Sequence, residues 1–436
     1  MTRFVIAGAG LGGALLGTLL GRAGQRVLLI ERRPDPRRAR PEAGRSINLA
    51  LSARGLHALE AIGARERIER LATPLHGRMI HPVRGPLAFQ PYGARGEAIH
   101  SLSRADLNSL LLDAAEAAGA ALRFERRTVA LDLEQGALTS AGSGGDLEQH
   151  AGTIIGADGA YSVVRSELVR RERWDFSQEY LGHGYKELHI PAGAAGGHVL
   201  EPHALHIWPR GGYMMMAMAN VDGSFTVTLY LAFEGPKSFA QLDSPGAVRD
   251  FFQREFPDAL PLVPDLETGF FAHPTGTLVT VRTAPWHLGD SAVLLGDAAH
   301  AIVPFYGQGA NAAFEDALAL AAALTRRGGD RAAAFREYEM ERRPNAEAIA
   351  DLALANFREM RDQVASPLFR LEKRGELLLN RIFPRWFLPL YTMISFTLIP
   401  YAEARARARR QRRTLRAILL LFVLGLAAVL VLLFAR

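Results

Sequence analysis

Three observations predict an α/β fold for this chain, with a discontinuous domain of Rossmann-like βαβ units, an inserted antiparallel sheet, a helical C-terminal region and a C-terminal transmembrane helix. The first is Phe4–Glu31, FVIAGAGLGGALLGTLLGRAGQRVLLIE, an apolar strand, a glycine-rich turn, a helix of small and apolar residues and a second strand in immediate succession. The second is the return of the buried-strand pattern at Gly152–Asp158 (GTIIGAD) and at Ser291–His300 (SAVLLGDAAH), each running into a turn. The third is the stretch Tyr185 to Phe233, where apolar and polar residues alternate between turn signals at Arg210-Gly211-Gly212 and Asp222-Gly223. That period of two is the pattern of an antiparallel sheet.

Within the first stretch, Gly8, Gly10 and Gly13 stand at G-x-G-x-x-G spacing between strand and helix. Gly8 permits a tight turn, Gly10 lets the backbone approach a pyrophosphate, and Gly13 lets helix and strand pack closely; the helix N-terminus offers unpaired N–H groups to phosphates. Glu31 ends the second strand, where a carboxylate accepts hydrogen bonds from a ribose 2′-hydroxyl and disfavours a 2′-phosphate. The nucleotide held there is therefore FAD or NAD rather than NADP. An Arg- and Pro-rich loop follows from Arg32 to Gly44. Arg45–Ser52 (RSINLALS) reads as a strand leading into a helix from Ala53, and short strands are expected at Arg78–Pro82 and Pro86–Phe89. Ser103 is suited to cap a helix Arg104–Ala118. Gly309–Thr325 reads as a helix, and Ala332–Leu398 as amphipathic helices broken at Pro344, Pro367 and Pro384.

Composition removes several chemistries. With 436 residues and no cysteine, the chain suits two or three interlocked domains and has no disulfide, thiolate metal site or cysteine nucleophile. The formal charge of +6 is largely local, because seven arginines lie between Arg405 and Arg416. Neither a nucleic-acid-binding motif nor an aromatic-interleaved basic groove accompanies it, so no nucleic-acid partner is expected. Behind the arginines, Ala417–Phe434 is a run of eighteen uncharged, apolar residues, about 27 Å as a helix, which is enough to span the hydrocarbon core of a bilayer. The positive-inside rule then keeps the arginines and the body of the chain on the cytoplasmic side of a single span.

Taken together, Gly8-x-Gly10-x-x-Gly13 with Glu31, Asp158-Gly159-x-x-Ser162-x-x-Arg165, and Gly296-Asp297 resemble the single-component FAD-dependent aromatic hydroxylases. The resemblance implies bound FAD and NADPH as co-substrate. With no second G-x-G-x-x-G, the nicotinamide is expected to dock transiently. Asp297 is implied to contact the FAD ribose and Arg104 to assist in holding the cofactor, while the backbone at Gly307, Gly309 and Asn311 cradles the ring. A helix N-terminus there favours an anionic reduced flavin. Asp158 has two readings of equal standing: a cap in a turn relieved by Gly159, or a direct part in handling FAD and NAD(P)H. The flavin carries the oxygen transfer, so neither a catalytic side chain nor a metal is expected.

The likeness narrows at Arg45–Gly55, Tyr185–Ile190, His206–Phe233, Gly296–Asp316 (GDAAHAIVPFYGQGANAAFED) and Pro389–Tyr391, which are similar to the kynurenine-hydroxylating branch of that family over essentially the whole chain. This implies hydroxylation of L-kynurenine with NADPH and O2, its carboxylate met by Arg78 and Tyr92, with Asn356 and Tyr391 completing a polar clamp and Glu359 one turn beyond Asn356. A guanidinium beside phenols is chemically suited to a carboxylate. The implied division is 1–75, 99–175 and 282–345 for the FAD-binding domain, 76–98 for pocket strands, 176–281 for the substrate sheet, 346–404 for closing helices, 405–416 for a basic juxtamembrane segment and 417–434 for the span. Tyr306, Ala310 and the loop Val83–Gln90 depart from the branch pattern and bear on substrate tolerance. Alternative readings are hydroxylation of another aromatic acid of the anthranilate or salicylate type, a membrane-anchored flavoprotein acting on isoprenoid or quinone rings, and a non-catalytic flavin-binding scaffold.

Overall fold

The run RFVIA, with Val5, Ile6 and Ala7 wholly buried, forms the strand Arg3–Ala7 inside a six-stranded sheet in the computed structural model, which describes residues 3–38, 48–93, 95–171, 173–364 and 366–434. Its neighbours are Thr153–Gly156 and Arg26–Ile30, both parallel, with Phe4 opposite Thr153 on one side and Val27 on the other. Ala292–Leu294 extends the sheet beyond Thr153–Gly156, and Ala121–Arg123 extends it beyond Arg26–Ile30. Segments from the start, the middle and the last third of the chain thus lie side by side. Helix Leu11–Arg22 packs against both Arg104–Ala117 and Gly309–Arg327.

Ser103 caps the second of these helices, its hydroxyl accepting from the Asp106 N–H at 3.3 Å, and Asp106 adds an acid to the first turn. Ser103→Ala is expected to lower stability by about 1 kcal/mol. A denaturant midpoint unchanged from wild type would show that water replaces the cap.

A seven-stranded sheet runs in the order Gly276–Ala284, Asp175–Ile190, Phe225–Ala232, Met214–Ala219, Ala204–Pro209, Gly77–Ile80, Ala88–Pro91. All its pairings are antiparallel except that of Ala204–Pro209 with Gly77–Ile80, so the strand carrying Arg78 joins a sheet formed mainly by residues a hundred positions later. Strand periodicity assigns its two faces. Met215, Ala217, Val227 and Leu229 pack against Phe251, Phe252 and Phe270 of the helices Pro245–Glu255 and Leu266–Ala272, a helical layer not anticipated from the sequence. Met216, Met218, Thr226 and Thr228 face the other way, into a cavity.

The alternating pattern starts at Tyr185, but the strand that carries it, Asp175–Ile190, begins ten residues earlier, in a largely exposed half with no apolar alternation to reveal it. Pro344 does not break its helix, which runs unbroken over Arg331–Arg358. Pro344 and Met340 are both exposed, so water can serve the Met340 carbonyl that the missing N–H leaves free. The basic segment 405–416 and the run 417–434 lie on one continuous helix, Tyr401–Phe434. Among the described residues no helix is long and apolar enough to cross a membrane, and most side chains of the expected span 417–434 lie outside them, as do Arg45–Ile47 of the expected strand Arg45–Ser52.

Behind the sheets, buried charges lock the C-terminal region to the rest. Arg54 pairs with Glu315 at 2.5 Å and donates to the Ile394 carbonyl, while Arg342 and His300 hold the two oxygens of Asp316 at 2.7 and 2.6 Å. Burial opposes the charge on Asp316, but these two partners outweigh it and keep its carboxyl below the usual range. Tyr401, the first residue of the terminal helix, donates its hydroxyl proton to Gln308 at 2.9 Å.

Candidate active site

One cavity of about 810 Å3 is lined by the glycine-rich turn, by the loop 301–310 and by the inner face of the seven-stranded sheet. Each turn glycine has its own reason. Gly8 has φ +100°, and a Cβ there would lie 2.4 Å from the Ala157 carbonyl oxygen. A Cβ on Gly13 would lie 2.1 Å from the Gly8 oxygen, whereas at Gly10, on the cavity wall, it would meet nothing within 4 Å. Gly8 and Gly13 are thus required by the protein itself. Gly10 is required only by what approaches it, which is the fit expected of a dinucleotide pyrophosphate over the N-terminus of Leu11–Arg22.

Glu31 braces this turn from behind. Its Oε2 accepts from the Ala9 N–H at 3.0 Å, and its Oε1 accepts from Arg33 N and Nε at 3.1 and 2.8 Å. Burial raises its pKa, yet the Arg33 contacts prevail and hold it below the ordinary value. Arg32, the next residue, is the one that lines the cavity.

In the Asp158 segment the observed contacts are those of a helix cap. Asp158 Oδ2 accepts from the N–H groups of Val163 and Val164 at 2.7 and 3.3 Å, and Ser162 accepts from Arg165 N at 2.9 Å, so both cap the helix Val163–Val169. Arg165 then reaches the Ala298 and Ala160 carbonyls at 2.9 and 2.6 Å, tying this motif to the short helix Asp297–His300. Burial pushes the Asp158 carboxyl up, and its Oδ1 has no partner among the described residues. Gly159, Ala160 and Tyr161 line the cavity; Asp158 does not.

Asp297, Arg104, Gly307 and Gly309 are all cavity residues. Gly307 has φ +65°, closing the turn Pro304–Tyr306 just before the helix Gly309–Arg327, whose first N–H groups lack intrahelical partners. Asn311 lies wholly buried on that helix, and its amide is entirely used by protein: Oδ1 accepts from Ser52 N and Gly55 N at 3.0 and 3.1 Å, and Nδ2 donates to the Ala50 and Gly307 carbonyls at 2.9 and 2.8 Å. It positions the backbone around the cavity without lining it.

Arg78, Tyr92 and Tyr391 meet on another part of the wall. The buried Arg78 guanidinium lies 5.2 Å from the Tyr391 ring centre, 5.8 Å from that of Tyr92 and 3.6 Å from Glu359 Oε1. Burial disfavours its charge, but Tyr391, Tyr92 and Glu359 outweigh that, and it stays protonated. Arg78 Nε and the Tyr92 hydroxyl are buried without a hydrogen-bond partner among the described residues. Such orphaned donors fit an incoming carboxylate. Tyr92 stacks on Tyr391 at 4.9 Å and Tyr306 stacks on it at 5.7 Å, so the departure at Tyr306 makes it the third ring of a phenol stack.

Asn356 and Glu359 are placed differently from a shared helix face. The α-helix ends at Arg358, and Glu359–Gln363 is a π-turn. Asn356 is buried and donates to the Phe305 carbonyl at 2.6 Å, away from the cavity wall. Sequence reasoning passed over Tyr230, Tyr185, Leu278 and Met360, which also line the cavity. Strand alternation marks Tyr230 as a neighbour of the inward Thr228 and Thr226, and only that signal was available.

The FAD binding domain family matches residues 1–197 and 266–353. The kynurenine 3-monooxygenase of Myxococcus xanthus is 48% identical over 403 residues, covering 92% of this chain and 87% of that protein. That of Salinispora arenicola is 47% identical over 420 residues, covering 95% and 92%. Among solved structures, 2-methyl-3-hydroxypyridine-5-carboxylic acid oxygenase superposes with a TM-score of 0.69 at 22% identity, covering 86% of this chain and 96% of that one, a likeness of fold. Identity of this extent, on a chain whose separated motifs converge on one cavity, means that the protein belongs to the kynurenine 3-monooxygenase family.

Proposed function

We propose that the chain is an FAD-dependent monooxygenase that uses NADPH and O2 to hydroxylate L-kynurenine at the ring 3-position, giving 3-hydroxykynurenine. The observation that carries this reading is a buried, charged Arg78 with unused donors beside it, in the same cavity as a glycine turn open at Gly10. Bound FAD would supply the redox and oxygen-transfer chemistry, which no side chain provides. Gly8, Gly10 and Gly13 shape the pyrophosphate seat, Glu31 braces that turn through Ala9 N–H instead of reaching the expected ribose, Asp297 serves a ribose end, Arg104 adds a cation at the wall, and Gly307 and Gly309 present the amides of a helix start to the ring.

Arg78, Tyr92 and Tyr391 receive the substrate carboxylate. Glu359 keeps Arg78 oriented, and Asn356 fixes the Pro304–Tyr306 turn through the Phe305 carbonyl. Phe305, backed by Phe357 stacked on it at 4.2 Å, and Tyr306 form a wall that keeps water from the reacting ring. On this reading 1–75, 99–175 and 282–345 hold the nucleotide, 76–98 and 176–281 the substrate, and 346–404 close the pocket. The test is purification in detergent, a flavin spectrum, and NADPH consumption with product mass for kynurenine beside anthranilate and salicylate. Turnover of either of the latter without kynurenine would overturn the substrate assignment.

The apolar run 417–434 anchors the protein, with the arginines of 405–416 on the cytoplasmic side. Deleting Ala417–Arg436 is expected to move the protein from the membrane to the soluble fraction while flavin content and turnover remain. Cutting before Tyr401 is expected to cost activity as well, because Tyr401 holds Gln308 beside the cavity loop. Complete loss of turnover in a folded, flavin-loaded 1–416 protein would make the tail part of the site.

A further inference from the structure

The helix Pro367–Ile382 carries an apolar stripe that none of the described residues covers. Leu368, Leu371, Leu378 and Ile382 recur at intervals of three, seven and four, one face of a helix, and are between 56% and 75% exposed. The stripe continues into the exposed Phe383 and Trp386. Its other face is held by the body through buried Phe369 and through Asn380, which donates to the Phe387 carbonyl at 2.8 Å. Arg370, Arg374 and Arg381 form a parallel row beside the leucines.

We propose that this helix lies in the plane of an anionic bilayer surface, as a second membrane contact beside the terminal anchor; the inference rests on the anchoring read above. The level at which it meets the lipid follows from one contact. Gln411 of the terminal helix donates to the Trp386 carbonyl at 3.1 Å, and Gln411 precedes Ala417, where the apolar run begins, by six residues, about 9 Å of helix. Trp386 and Phe383 therefore stand at the depth of Arg409, Arg410, Arg412 and Arg413, the headgroup region, where aromatic rings concentrate. Leucines entering the acyl boundary with arginines beside them match an anionic lipid surface, whereas a second copy on the same stripe would bring rows of arginine together. The helix also follows directly on the π-turn with Glu359 and Met360, so lipid contact would brace one wall of the cavity.

The test is fluorescence of the full chain in nanodiscs made with acyl-brominated or ordinary lipid, for wild type, Trp386→Phe and the double variant Leu371→Glu/Leu378→Glu. Brominated lipid is expected to quench part of the wild-type emission, more strongly in anionic than in zwitterionic discs. That part should vanish in Trp386→Phe and fall in the double variant, with flavin absorbance equal in all three as the control on folding. Protein that enters the discs with full flavin but shows no bromine-dependent loss from Trp386 overturns the in-plane helix and leaves the anchor standing. Failure to enter the discs overturns both. A wild-type dimer in detergent that the double variant converts to monomer, without lipid quenching, would assign the stripe to a second copy instead.

Discussion

Arg78→Leu is expected to weaken kynurenine binding by about 2–4 kcal/mol, roughly 30- to 1000-fold in Kd, while FAD stays bound. The size comes from the setting. Arg78 is 8% exposed, so a carboxylate that enters beside it leaves water for a single cation, and without that cation only phenols remain. Leucine fills the stem volume, and Glu359 loses its 3.6 Å partner at a site open enough to be hydrated. The glycine turn, Glu31 and Asp297 lie on other segments, so flavin occupancy is the internal control. NADPH oxidation should respond poorly to kynurenine, with the remaining oxidation released as hydrogen peroxide. Unchanged kynurenine affinity and normal product yield in this variant would remove Arg78 from the site and, with it, much of the reason to prefer kynurenine over other aromatic acids.

The second large effect separates two glycines only three residues apart. Gly10→Val is expected to fold with near wild-type stability and to purify colourless, because its side chain enters open cavity that the pyrophosphate needs. Gly13→Val is expected to destabilise the apoprotein by about 3 kcal/mol or more, because its Cβ would stand 2.1 Å from a backbone oxygen that cannot move without parting helix from strand. Thermal unfolding of the flavin-free proteins and flavin absorbance of the purified ones together decide it. A yellow, fully occupied Gly10→Val would place the flavin elsewhere.

What the sequence made legible was local. Strand, turn and helix at Phe4–Glu31 are specified by neighbours within about ten residues, so apolar period and glycine spacing suffice. The Ser103 cap needed only Asp106 three residues on. What stayed hidden depends on partners far along the chain. Asn356 carries no mark that its amide will serve the Phe305 carbonyl rather than a ligand, and Asn311 none that all four of its bonds will be internal. Pro344 illustrates the converse: its local rule predicts a break, but exposure of the freed carbonyl makes the cost tolerable in a helix held by Phe335, Tyr338 and Ile349. Arg78 and Tyr92 were drawn from resemblance, since no spacing links them to Tyr391 three hundred positions away.

The Asn311 staple also dictates when this protein can become an enzyme. Its partners Ser52 and Gly55 precede it by 259 and 256 residues. At ~5–20 residues per second of synthesis, the segment beginning at Asn48 waits roughly 13–50 s for the helix that completes it. The central strand Arg3–Ala7 likewise waits for Thr153–Gly156, and that strand for Ala292–Leu294. The buried central strand is therefore among the first segments to be made and among the last to be covered. Its cradle for the cofactor cannot close on a nascent chain shorter than about three quarters of the final length. Loading with FAD is therefore expected to be a late event, and the slower the synthesis, the longer the emerging N-terminal half stays uncovered.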